Sequence, residues 1–86
     1  MGLGRYGRIL DRVLGGASDA NISFNDLCQL LRRLGFEERT RGSHHVFRMS
    51  GVEERLNLQR DGSEAKPYQV RQVRAVVLKY RLGDFE

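Results

Sequence analysis

The hydrophobic period changes twice along this chain, and those two changes constrain its fold more than any single residue does. From Phe24 to Leu34 the apolar residues Phe24, Leu27, Cys28, Leu30, Leu31 and Leu34 recur at helical spacing. After Gly35 the rhythm becomes that of strands. Phe36 to Arg41 reads as a short charged strand, Gly42-Ser43 as a tight turn, His44 to Met49 as a second strand and Ser50-Gly51 as another turn. Glu54 to Arg60 alternates, with Leu56 and Leu58 pointing inward and Asn57 and Gln59 outward, until Asp61-Gly62-Ser63 ends the run. Pro67 then suits the first position of a helix, along which Val70, Val73, Val77 and Tyr80 restore helical spacing, with Gly83 as the expected terminator.

Upstream, Tyr6, Ile9, Leu10, Val13 and Leu14 mark one apolar face of a further helix, which Gly15-Gly16 ends, and Ser18 to Asn21 reads as a loop. Ser23 is placed to cap the helix that follows, with Asp26 three residues on. Arg32 and Arg33 suit its last turn and Gly35 its C-cap. The expected order is α-α-β-β-β-α. The natural packing of its α-β-β-β-α part is a three-stranded antiparallel sheet with helices on one face, an α+β fold. Residues 1–22 form an N-terminal helical extension and linker, and 23–86 the remainder. Eighty-six residues allow one domain with a modest core.

Charge narrows the partners. Fifteen Lys and Arg against eleven Asp and Glu give a formal net charge of +4, which favours a polyanion or an acidic protein. Residues 66–81 hold Lys66, Arg71, Arg74, Lys79 and Arg81 and no acid, and on a helical wheel Arg71, Arg74 and Arg81 share one sector. Such a face can track phosphates, or remain a solvated basic surface. Arg39, Arg41 and Arg48 add cations along the first two strands, where exposed charge also discourages aggregation. The single cysteine, Cys28, sits in the apolar helical pattern and reads as a small core residue. No signal peptide or membrane-spanning run is visible, so a cytoplasmic protein is expected.

The chemistry concentrates in His44 and His45, the only histidines. Histidine exchanges protons near neutral pH. Adjacent strand residues point to opposite faces, so the two cannot share one site in a regular strand. Val46 lies on the side of His44 and Phe47 on that of His45, and the pattern does not choose between them. Adjacent histidines without a nearby cysteine and with few carboxylates miss the usual zinc spacings, so no metal site is expected.

Gly35-Phe36, the run Arg41-Gly42-Ser43-His44-His45-Val46-Phe47 and the closing amphipathic helix together resemble the HicA-type toxins of bacterial toxin–antitoxin pairs. The resemblance covers about residues 24–86. It implies a double-stranded-RNA-binding-like fold over 23–86, ribonuclease activity on messenger RNA without a cofactor, and neutralisation by a cognate HicB-type antitoxin. The family's catalytic histidine falls in this motif. It matches His44 first, directly after Gly-Ser, and His45 second, with Gly42 and Ser43 as the turn that presents it. Two departures stand out. Residues 1–22 lie outside the usual short domain, and the His-Pro-type segment of many relatives is missing between Gln59 and Pro67, which leaves a second acid–base group unidentified.

The expected mechanism is removal of the ribose 2′-hydroxyl proton by His44, with Arg41, Arg48 or Lys66 stabilising charge on the phosphorane. Arg39, Arg41, Gly42, Ser43, Arg48, Lys66, Arg71 and Arg74 are the expected RNA-contacting residues. Two alternatives use the same basic surface without catalysis: a nucleic-acid-binding module, and an interaction domain for an acidic protein.

Overall fold

A computed structural model describes residues 4–83. The elements run α1 (Gly4–Gly15), a 3-10 turn (Asp19–Asn21), α2 (Phe24–Leu34), β1 (Glu37–Arg41), β2 (His44–Met49), β3 (Val52–Leu58), β4 (Arg60–Asp61), β5 (Glu64–Ala65) and α3 (Pro67–Tyr80). β1, β2 and β3 form an antiparallel sheet in that order, and β4 pairs with β5 in a separate two-stranded ribbon. The α+β class and the three-stranded sheet covered by helices are as the sequence implies.

The local causes are legible. Ser23 Oγ accepts a hydrogen bond from Asp26 N–H at 3.2 Å and so caps α2. Gly35 takes a left-handed conformation at the other end, and its N–H and that of Phe36 turn back onto the last carbonyls of the helix. Phe47, Leu56 and Leu58 point from the sheet into a core completed by Phe24, Leu27, Leu31, Val70, Val73 and Val77. α1 belongs to that same core through Ile9, Leu10 and Val13.

Three boundaries differ from the sequence reading. β3 starts at Val52 and stops at Leu58, and Arg60 belongs instead to the ribbon that the Asp61-Gly62-Ser63-Glu64 hairpin closes. That ribbon is tied to α2, because Ala65 N–H donates to the Ile22 carbonyl at 2.9 Å and Phe24 N–H to the Ser63 carbonyl at 3.0 Å. The Ser18–Asn21 segment is not a plain loop but contains the 3-10 turn. Finally, α3 ends at Tyr80 and is capped by Arg81, which takes φ 55° while Leu82 N–H donates to the Val77 carbonyl at 2.9 Å. Gly83 serves close packing: a Cβ there would lie 3.0 Å from the Leu10 side chain.

Candidate active site

The β1–β2 connection is a two-residue hairpin loop, Gly42-Ser43, closed by Arg41 opposite His44. Gly42 takes φ +60° and Ser43 does not, the pattern of a type II′ turn, whose twist matches that of the flanking strands. The Gly-Ser dipeptide therefore fixes where His44 stands: first in β2, at the end of the sheet.

Pairing register then separates the two histidines. His44 and Val46 share a face with Arg39 and Arg41 of β1 and with Asn57 of β3. This is the face opposite the core, flanked by α3 only along the β3 edge, and strand alternation also places Glu37, Arg48 and Arg55 on it, with Gln59 just past the end of β3. His44 is exposed, and its Nδ1 is 3.1 Å from Asn57 Oδ1. Because that oxygen only accepts, the neutral imidazole donates from Nδ1 and keeps a lone pair on Nε2. Beside it, Gln59 Nε2 donates to Ser43 Oγ at 3.1 Å.

His45 faces the helices with Phe47. Its ring meets Phe24 edge to face at 5.1 Å between centroids. Its Nδ1 lies 2.8 Å from Glu38 Oε2, and Glu38 Oε1 accepts from Arg32 Nε at 2.7 Å. The Arg32 guanidinium, with help from His45, holds the Glu38 carboxyl below the usual carboxylate range. The buried Cys28 lies alongside, and burial pushes its thiol up to about 11. Cys28, Glu38 and His45 offer ligand atoms within 4.8 Å of one another, a grouping the spacing argument along the chain did not reveal. Both Glu38 oxygens are already hydrogen-bonded there.

The other expected site residues divide. Arg39, Arg41 and Arg48 are exposed and, among the described residues, enter no ion pair. Lys66 stands half-buried immediately before α3, and Arg71 is exposed. Arg74 is occupied elsewhere. It donates to both Asp19 carboxylate oxygens, at 2.9 and 3.1 Å, and to the Val13 carbonyl at 3.1 Å, clamping α3 to the segment after α1. It holds the Asp19 carboxyl below its ordinary range, with Arg71 contributing from nearby. The side of α3 that meets His44 is instead Tyr68, Gln69 and Gln72.

Those three residues were not picked out as a group by helical spacing. Gln69 is the one that organises the corner, since it is 1% exposed. With its carboxamide oriented to match both partners, it donates to the Gln59 carbonyl at 3.1 Å and accepts from Gln59 N–H at 3.0 Å. The backbone between β3 and β4 is fixed by that double bond. A glutamine on the apolar stripe of a helix, one residue before Val70, was the available signal.

A family model for the HicA toxin of bacterial toxin–antitoxin systems matches residues 24–80. The chain belongs to the HicA toxin family. The match runs from the first residue of α2 to the last of α3, and it takes in the whole sheet and both histidines while leaving α1 outside. Membership gives the protein a toxin role in a toxin–antitoxin pair. No curated protein and no solved structure matches the chain. Among the described residues no helix is long and apolar enough to cross a membrane.

Proposed function

We propose that this HicA toxin is an endoribonuclease that cleaves messenger RNA without a metal, with His44 as general base, and that a HicB-type antitoxin neutralises it. The observation that carries the reading is the placement of His44: exposed on the open sheet face, directly opposite Arg41, with Nδ1 engaged by Asn57. Nε2 is then the proton acceptor for a ribose 2′-hydroxyl, which attacks the adjacent phosphorus. The leaving 5′-oxygen takes up a proton from solvent. The products are a 2′,3′-cyclic phosphate and a 5′-hydroxyl.

A positioned base of this kind supplies about 10²–10⁴-fold. Asn57 is a positioning residue, because it sets the tautomer and the ring orientation. Arg39, Arg41 and Arg48 share the face of His44 and suit the phosphates, and Arg41 is best placed for charge developing on the phosphorane. Lys66 and Arg71 add positive charge at the start of α3, with Arg71 on the side toward Asp19. Arg74 acts instead by holding α3 in place through Asp19. His45 belongs to the packing of β2 on α2.

The mechanism requires the 2′-hydroxyl. An RNA carrying one 2′-deoxynucleotide at the cleaved position should resist the protein, while the all-ribose strand yields a cyclic phosphate end. Cutting of the substituted strand at the same place would overturn the assignment.

A further inference from the structure

We propose that the groove between β3 and α3 beside His44 holds one unpaired nucleobase of the RNA, next to the phosphate that is cut. The inference rests on the reading of His44 as the residue that acts on RNA. It adds a base-binding site that neither the family match nor the histidine motif assigns.

The groove is a cavity of about 270 Å³ walled by His44, Arg55, Asn57, Gln59, Tyr68 and Gln72, with the buried Gln69 behind Gln59. It contains no carboxylate, one cation and a set of carboxamides. A carboxamide presents a donor and an acceptor side by side, which is the arrangement that pairs with a base edge. Gln59 spends its Nε2 on Ser43 and keeps its oxygen, and the Gln72 side chain enters no hydrogen bond among the described residues. The wall on the α3 side carries Tyr68, which is 50% exposed although it is a large aromatic residue. Exposed tyrosines beside a nuclease centre suit stacking, and sequence-specific RNA recognition works largely on unpaired bases stacked in this way.

A second groove on the same sheet serves as the contrast. It adjoins the first at Arg55 and runs to Arg48, but Glu37, Glu53 and Glu54 also line it. Those three carboxylates offset its two arginines, so it is the poorer place for a nucleotide. The groove beside His44, free of carboxylates, suits a nucleotide better, and its corner is tied down. The Gln69 carboxamide fixes both backbone groups of Gln59, and Gln59 in turn holds Ser43 of the hairpin that presents His44. Base recognition and the position of His44 are thereby linked through one strand end.

The test uses the full chain carrying His44→Ala, so that RNA survives, and a fluorescein-labelled single-stranded RNA of mixed sequence. Adding Tyr68→Ala should weaken binding about tenfold, as expected for one lost base–aromatic stack, and Tyr68→Phe should restore it. In the chain with His44 intact, Tyr68→Ala should raise KM and flatten the base preference at one position flanking the cut. Thermal melts check that each variant is folded. Unchanged affinity on Tyr68→Ala overturns the base site whether or not the protein cuts RNA. Binding that depends on Tyr68 in a protein that never cuts RNA would keep the base site and remove the nuclease reading. Affinity unaltered for RNA but lost for an antitoxin would assign the groove to a protein and overturn the proposal.

Discussion

His44 and His45 are neighbours in sequence and opposites in surroundings. One is exposed among arginines with a carboxamide behind it. The other is partly buried, edge-on to Phe24 and bonded to a carboxylate that Arg32 also holds. The first arrangement leaves a nitrogen for a substrate. In the second, the bonded nitrogen and the ring edge tie β2 to α2 and β1. A single strand thus gives its two histidines opposite surroundings by alternation alone, and the identity of the residue does not reveal which it has.

The widest expected contrast comes from removing each histidine in turn. His44→Ala should lower RNA cleavage by about 10²–10⁴-fold and leave the melting temperature nearly unchanged. His45→Ala should do the reverse, with cleavage retained and stability reduced by about 1–2 kcal/mol for one hydrogen bond and one aromatic contact. Rates from purified variants on one RNA, beside their thermal melts, decide it. Loss of cleavage in His45→Ala with an unaltered melt would reverse the assignment of the two faces.

The two Gly-Ser hairpins sharpen the comparison. Gly42 and Gly62 have nearly the same φ, +60° and +65°, and an added Cβ at either would meet nothing within 4 Å. Replacement by alanine therefore adds backbone strain without a clash, about 1–2 kcal/mol at each position. The stability losses should match. Only Gly42→Ala should also slow cleavage, because only that turn aims His44. Equal rates for the two variants would mean that the turn does not control the site.

These contrasts show what the sequence discloses and what it does not. The α2 caps, the alternation of β3 and the Gly42-Ser43 turn are local, and each is set by a few adjacent residues. The side on which each histidine falls is not local. Val46 and Phe47 balance each other in the pattern, and only pairing with Arg39 and Asn57, on other strands, separates them. The ribbon of β4 and β5 carried the same Gly-Ser signal, but two-residue strands are too short to show alternation. Arg74 sits on a convincing basic face of the helical wheel. A wheel contains no Asp19, and the chain must fold before that partner appears. Gln69 and the β3–α3 groove are likewise products of long-range packing.

The smallest expected effect concerns acid, and it isolates the His45 side. Glu38 is held below the ordinary carboxylate range, first by the hydrogen bond from Arg32 and then by that from His45, against the opposing cost of burial. The adjacent Cys28 thiol, pushed up to about 11, stays protonated and neutral across the acid range. Folding therefore favours the ionised carboxylate. A group with a depressed folded pKa adds stability that is complete above its unfolded pKa, about 4.3 for glutamate, and is lost as pH falls through the folded value. The Glu38 contribution should be flat from pH 7 down to about pH 5 and should then shrink, vanishing only once the pH is below the folded value. Asp19 and Glu54 are depressed in the same sense by Arg74 and Lys79, so the whole protein softens in acid and wild type alone does not separate them. Glu38→Gln does. Its melting temperature should fall below that of wild type at pH 7, and the gap should be smaller at pH 3. A gap that is the same at both values would show that Glu38 acts through shape and not through charge. Cleavage at pH 7 should change little in this variant, since the carboxylate lies across the sheet from His44.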